Sequence, residues 1–146
     1  MPCILLTGAT GYIASHTWLA LQEAGFDVVG IDSLVNSSVK VLDRLETIGR
    51  RAPHFVQGDV RDAAALDRCF ELARTRFGGI QAVVHFAALK AVGESVERPL
   101  DYFENNLGGL LSVCQAMKRH GVNNLVFSSS ATVYGNASQP PFAEDA

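Results

Sequence analysis

The sequence predicts an α/β fold, a doubly wound parallel sheet with strand order 3-2-1-4-5 and helices on both faces. Three observations predict it. Short apolar runs alternate with helical segments along the whole chain. The runs are rich in Val, Ile and Phe and do not alternate with polar residues, as expected of strands buried on both faces. A glycine turn, Gly8-Ala9-Thr10-Gly11, joins the first run to the first helical segment. Such a turn marks the carboxyl edge of a parallel sheet, where ligands bind at the point at which the strand order reverses.

The elements follow in chain order. Strands are expected at 3–6, 27–31, 54–57, 82–86 and 124–127, and helices at 12–24, 38–49, 63–77 and 99–120. The second helix has Val39, Leu42, Leu45 and Ile48 at helical spacing; the third has Leu66, Cys69, Phe70, Ala73 and Phe77. Gly25, Gly49, Gly78-Gly79 and Gly121 stop the four helices, and Pro99 suits the first turn of the last one. Repeated βα units imply parallel pairing and right-handed crossovers. The chain is expected to form one domain over residues 1–146, without repeats or linkers. Only the tail from Asn136 to Ala146 lacks a periodic pattern.

Composition narrows the function. The 146 residues are 48% apolar, with 12 basic against 15 acidic side chains and a net charge of −3. Arg50-Arg51 is the one pair of adjacent arginines, so a nucleic-acid footprint is absent. No stretch approaches the roughly 20 apolar residues of a membrane span. The start of the chain has no secretory leader pattern, and a cytoplasmic protein is expected. Cys3, Cys69 and Cys114 lie in apolar surroundings without ligand-like spacing, as buried free thiols do. His16, His54, His85 and His120 do not group with them, so no metal site is expected.

The glycine turn suits a phosphate. Gly8 would let the chain turn sharply, Gly11 would let the backbone approach a pyrophosphate, and Ala14 would pack the helix on the strand. Asp32 ends the second strand about 20 residues on, where a carboxylate can bind both ribose hydroxyls. It would repel a 2′-phosphate, and no arginine follows it to compensate, so NAD is favoured over NADP. The other reading of Asp32 is a turn or helix cap. Asp59, after the third strand, either reaches an adenine or caps the next helix. After the fourth strand, Phe86-Ala87-Ala88 suits close backbone approach, and Lys90 is either a cation for a pyrophosphate or nucleotide sugar or a solvated loop lysine. Ser128-Ser129-Ser130, after the fifth, serves either a substrate hydroxyl and proton relay or a turn.

With these residues placed, the chain closely resembles the UDP-glucose 4-epimerases of the extended short-chain dehydrogenase/reductase family. The resemblance rests on Thr7-Gly8-x-x-Gly11-Tyr12-Ile13, Asp32-x-Leu34-x-Asn36-Ser37, Gly58-Asp59-Val60, His85 to Ser95, Asn105-Asn106 and Ser128 to Gly135. It implies a Rossmann domain in which Tyr12 and Ile13 cover the NAD pyrophosphate and Asp32, Asn36 and Ser37 surround the adenosine ribose. Asp59 and Val60 would meet the adenine, while Phe86, Ala87 and Lys90 would follow the cofactor toward nicotinamide. Asn105 would contact it from the long helix, and Ser130 would bond the sugar 4-hydroxyl. The implied reaction is reversible hydride transfer at sugar C4 through a 4-keto intermediate, on a UDP-sugar, in a homodimer.

The resemblance also has departures. Ala14 stands where a third glycine is usual, and Gly108 and Leu110 replace an asparagine and a threonine. The family's base is a tyrosine in a Tyr-x-x-x-Lys helix. Tyr12, Tyr102 and Tyr134 are the tyrosines here, and none has lysine four residues on. The expectation is an N-terminal, NAD-binding portion, inactive alone. Ala131 and Thr132 stand where the related 4,6-dehydratases carry an acid pair, which argues against that chemistry. Other nucleotide-sugar epimerases, and a non-catalytic NAD-binding fragment, stay open.

Overall fold

A computed structural model describes residues 1–135 and 140–145. Five strands, β1 (Cys3–Thr7), β2 (Asp27–Asp32), β3 (His54–Gln57), β4 (Ile80–His85) and β5 (Asn124–Phe127), form one sheet in the order β3-β2-β1-β4-β5. Every pair is parallel, with Leu5 beside Val29 on one flank and Val83 on the other. The helices are α1 (Tyr12–Glu23), α2 (Lys40–Gly49), α3 (Ala63–Phe77), α4 (Val92–Glu97) and α5 (Pro99–Arg119). The predicted class and strand order are those observed.

Strand alternation divides the core in two. Cys3, Leu5, Val29 and Ile31 point to one face, where Leu66, Cys69, Phe70 and Ala73 of α3 and Val113, Ala116 and Met117 of α5 cover them. Leu6 and Val28 point to the other, against Ala14 and Trp18 of α1 and Leu45 of α2. A Cβ on Gly30 would run into the Trp18 indole, so a glycine in β2 is what lets α1 lie on the sheet.

Besides the short helix α4, which no spacing predicts, three details differ from expectation. Arg50, not Gly49, takes the left-handed conformation that ends α2, at φ 53°. Val39 and Ile48 are exposed, and α2 packs through Val41, Leu42 and Leu45 instead. The stripe read from spacing was therefore rotated toward solvent at both ends. Cys114 is exposed on α5, whereas Cys3 and Cys69 are fully buried, and burial pushes both buried thiols up to about 12.

No helix among the described residues is long and apolar enough to cross a membrane. Leu100, Phe103, Leu107 and Leu111 form an exposed stripe along α5, at the spacing of one helix face.

Candidate functional site

A cleft of about 580 Å³ opens at the carboxyl ends of the strands, where the sheet order reverses between β1 and β4. It is lined by the loops that leave β1, β2, β3 and β4 and by the flank of α5.

The β1–α1 turn forms its floor. Gly8 sits at φ +64°, and a Cβ there would lie 2.9 Å from the Ala87 nitrogen. The turn closes with Gly11 N–H donating to the Gly8 carbonyl at 2.9 Å. Helix α1 then starts at Tyr12, with Gly11 before it offering no side-chain cap and no acidic residue in its first turn. Its leading N–H groups and the positive end of its dipole therefore face the cleft without a competing anion of their own. Tyr12 and Ile13 stand exposed at the mouth, and Ala14 is buried against β1.

Asp32 joins the β1–α1 turn to the loop after β2. Its Oδ2 accepts from Thr10 N at 3.1 Å, and its Oδ1 accepts from Leu34 N at 2.9 Å and Ser37 Oγ at 3.3 Å. Because the Ser37 proton goes to Asp32, Thr10 Oγ1 donates to Ser37 Oγ at 2.6 Å. Asp32 is thus a turn cap as well as a cleft residue. An ionised carboxylate has about four acceptor positions, so capacity remains for a ligand hydroxyl. Asn36 and Ser37 line the cleft beside it.

Asp59 does not cap the helix that follows; Asp62 does, accepting from Ala64 N at 3.0 Å. Instead the Arg61 guanidinium grips Asp59, at 2.7 Å from Nη2 to Oδ2 and 3.1 Å from Nε to Oδ1. That bond, with the Arg61 amide and charge, holds the Asp59 carboxyl below its usual range. Val60 lines the cleft and also packs tightly on α5, where a Cβ on Gly109 would lie 3.0 Å from it.

Phe86, Ala87 and Lys90 form the wall beyond β4, and Asn105 of α5 also lines the cleft. Side chains of α5 hold this wall. Asn106 brackets Leu89, and Tyr102 accepts from Ala91 N at 3.1 Å while donating to Glu94 at 2.8 Å. Asn105 Nδ2 donates to Asn106 Oδ1 at 3.0 Å. The Asn106–Leu89 and Tyr102–Ala91 bonds run between residues 17 and 11 apart in sequence and have no periodic signature. Ser33, Val35, Arg61 and Glu104 also line the cleft and were not anticipated.

Ser130 lies elsewhere. It caps the 3₁₀ turn Ala131–Tyr134, accepting from Thr132 N at 3.2 Å, and does not line the cleft. Among the described residues, no cluster of His, Cys, Asp or Glu suits a metal ion.

The model of the NAD dependent epimerase/dehydratase family matches residues 4–146. A UDP-glucose 4-epimerase of Neisseria meningitidis serogroup B is 49% identical over 145 residues, covering 99% of this chain and 41% of that protein. One of Klebsiella pneumoniae is 45% identical, covering 97% of this chain and 98% of that one. Among solved structures, the UDP-glucose 4-epimerase of Stenotrophomonas maltophila with bound NAD and formylated UDP-arabinopyranose superposes at TM-score 0.89 and 47% identity. It matches over all of this chain and 42% of its own. The enzyme of Bifidobacterium longum, in complex with NAD⁺ and UDP, gives TM-score 0.89 at 43% identity, over 98% of this chain and 41% of its own. The chain thus spans about two fifths of the length of these solved relatives.

Proposed function

This chain belongs to the NAD dependent epimerase/dehydratase family, and we propose that it is the NAD-holding portion of a UDP-glucose/UDP-galactose 4-epimerase. One observation carries this reading. Gly8 and Gly11 of the glycine turn line one cleft together with Tyr12, Ile13, Asp32, Asn36, Ser37, Asp59, Val60, Phe86, Ala87, Lys90 and Asn105, the positions the resemblance assigns to the cofactor.

The cleft suits a dinucleotide chemically. The uncapped start of α1 supports placing the pyrophosphate there, under Tyr12 and Ile13. Asp32 keeps acceptor capacity for a ribose hydroxyl beside its three internal bonds, and its charge disfavours a 2′-phosphate. In this reading Asp59 and Val60 would meet the adenine, and Phe86, Ala87 and Lys90 would follow the cofactor toward the nicotinamide. NAD, when bound, supplies the hydride acceptor and donor that reversible oxidation at sugar C4 requires. The chain's own part is to bind, orient and retain it. In a longer parent, Ser130 would hydrogen-bond the sugar hydroxyl, and the exposed α5 stripe would be covered in a homodimer.

We assign no catalytic base to these residues, because no tyrosine here is followed by lysine four positions on. The chain alone is therefore a binding module without turnover. An assay of residues 1–146 with NAD⁺ and UDP-galactose should yield no UDP-glucose. Measurable conversion would overturn this account.

A further inference from the structure

Beneath the cleft wall, the Thr7 hydroxyl meets three partners. It lies 2.7 Å from His85 Nδ1, 3.1 Å from Phe86 N and 3.2 Å from Ala87 N. A hydroxyl has one proton and two lone pairs. Both backbone N–H groups can only donate, the Phe86 one being shared with the Thr7 carbonyl at 3.3 Å, so the Thr7 proton is directed to His85. Nδ1 is then the acceptor, and the ring carries its proton on Nε2.

We propose that His85 is a positioning residue for the cleft: as the neutral Nε2–H tautomer it orients the Thr7 hydroxyl, which holds the Phe86–Ala87 backbone against Gly8. The arrangement leaves little slack, since the Ala87 nitrogen lies 2.9 Å from where a Gly8 Cβ would stand. A protonated ring, or the other tautomer, would turn an N–H toward a hydroxyl whose lone pairs are already engaged. The wall would then have to shift.

The surroundings favour the neutral ring. His85 is 2% exposed. On β5, the Phe127 ring lies nearly parallel to it at 6.0 Å, and β1 presents only the Thr7 hydroxyl. Among the described residues no carboxylate bonds it, and the charge that acts on it is Lys90. Burial first, then Lys90, pushes the imidazole down to about 4.

The binding arm of the test rests on the NAD reading; the spectroscopic arm does not. Nitrogen NMR of the 146-residue chain at neutral pH should show Nε2 protonated and Nδ1 bare on His85. A charged ring, or a proton on Nδ1, would overturn the proposal. His85→Phe keeps the stacking on Phe127 but removes the acceptor. It should weaken NAD⁺ binding about tenfold, the worth of one hydrogen bond, and speed amide exchange at Phe86 and Ala87. His85→Asn, which can place an oxygen near the Nδ1 position, should restore both. Native exchange in His85→Phe, or no rescue by Asn, would refute it. If His85→Phe fails to fold, Thr7→Val against Thr7→Ser makes the same comparison from the other partner. If NAD⁺ does not bind the native chain, the cofactor reading fails, while tautomer and exchange still decide this one.

Discussion

Asn106 pairs with the backbone of Leu89 in both directions: its Oδ1 accepts from Leu89 N at 2.8 Å and its Nδ2 donates to Leu89 O at 3.0 Å. Together with Tyr102, which accepts from Ala91 N, this side chain of α5 fastens the loop that carries Lys90. Asn106→Leu keeps the volume and leaves two backbone groups unpaired in a half-buried place. Urea unfolding should show a loss of about 1–2 kcal/mol, and NAD⁺ affinity should fall with it. Unchanged stability would mean that water replaces the amide without cost.

The two faces of glycine separate at Gly8 and Gly93. Gly8 needs positive φ and lies against the Phe86–Ala87 backbone, so Gly8→Ala should cost about 1–3 kcal/mol. Gly93 lies in α4 with open space where a Cβ would go. There, Gly93→Ala should stabilise by about 0.5–1 kcal/mol through helix propensity. Thermal unfolding of the two variants should move in opposite directions.

Acid should destabilise the fold in two separate limbs. His85 takes up a proton near 6.5 when unfolded but only near 4 when folded. Between those values the unfolded chain binds more protons, so stability is complete above about pH 6.5 and declines toward pH 4, by about 3 kcal/mol. Asp67 acts lower. The His120 and Arg119 side chains hold its carboxyl below the ordinary 3.8, so its contribution is lost only as pH falls past that range. This exposed cluster is worth about 1 kcal/mol or less. Unfolding free energy measured from pH 8 to 4 should show the first limb, and His85→Phe should flatten it.

How much the sequence revealed follows from what each element buries. Helix α3 was legible because Leu66, Cys69, Phe70 and Ala73 all face one core. Helix α4 was not, because it buries nothing: Val92 and Val96 are both exposed, so no helical period marks it. Helix α2 ends at Gly49, as its spacing predicts, but the left-handed residue that closes it is Arg50, in a conformation usually left to glycine and so without a sequence signal. The cleft was legible through its glycines and Asp32, which sit at strand ends in recognisable spacing. Its supports, Thr10, Asn106, Tyr102 and the Thr7–His85 pair, act across 11 to 78 residues of chain and follow no local rule.

Calorimetric titration of the 146-residue chain with NAD⁺, set beside Asp32→Ala and Asp27→Ala, tests the central claim most directly. Asp27 sits at the opposite end of β2, 3.7 Å from Arg51, outside the cleft. Saturable binding is expected, weakened about ten- to a hundredfold by Asp32→Ala, as loss of a charge-assisted hydrogen bond and of the turn it holds should, with Asp27→Ala near native. Equal loss from both variants, or no loss from Asp32→Ala, would contradict it.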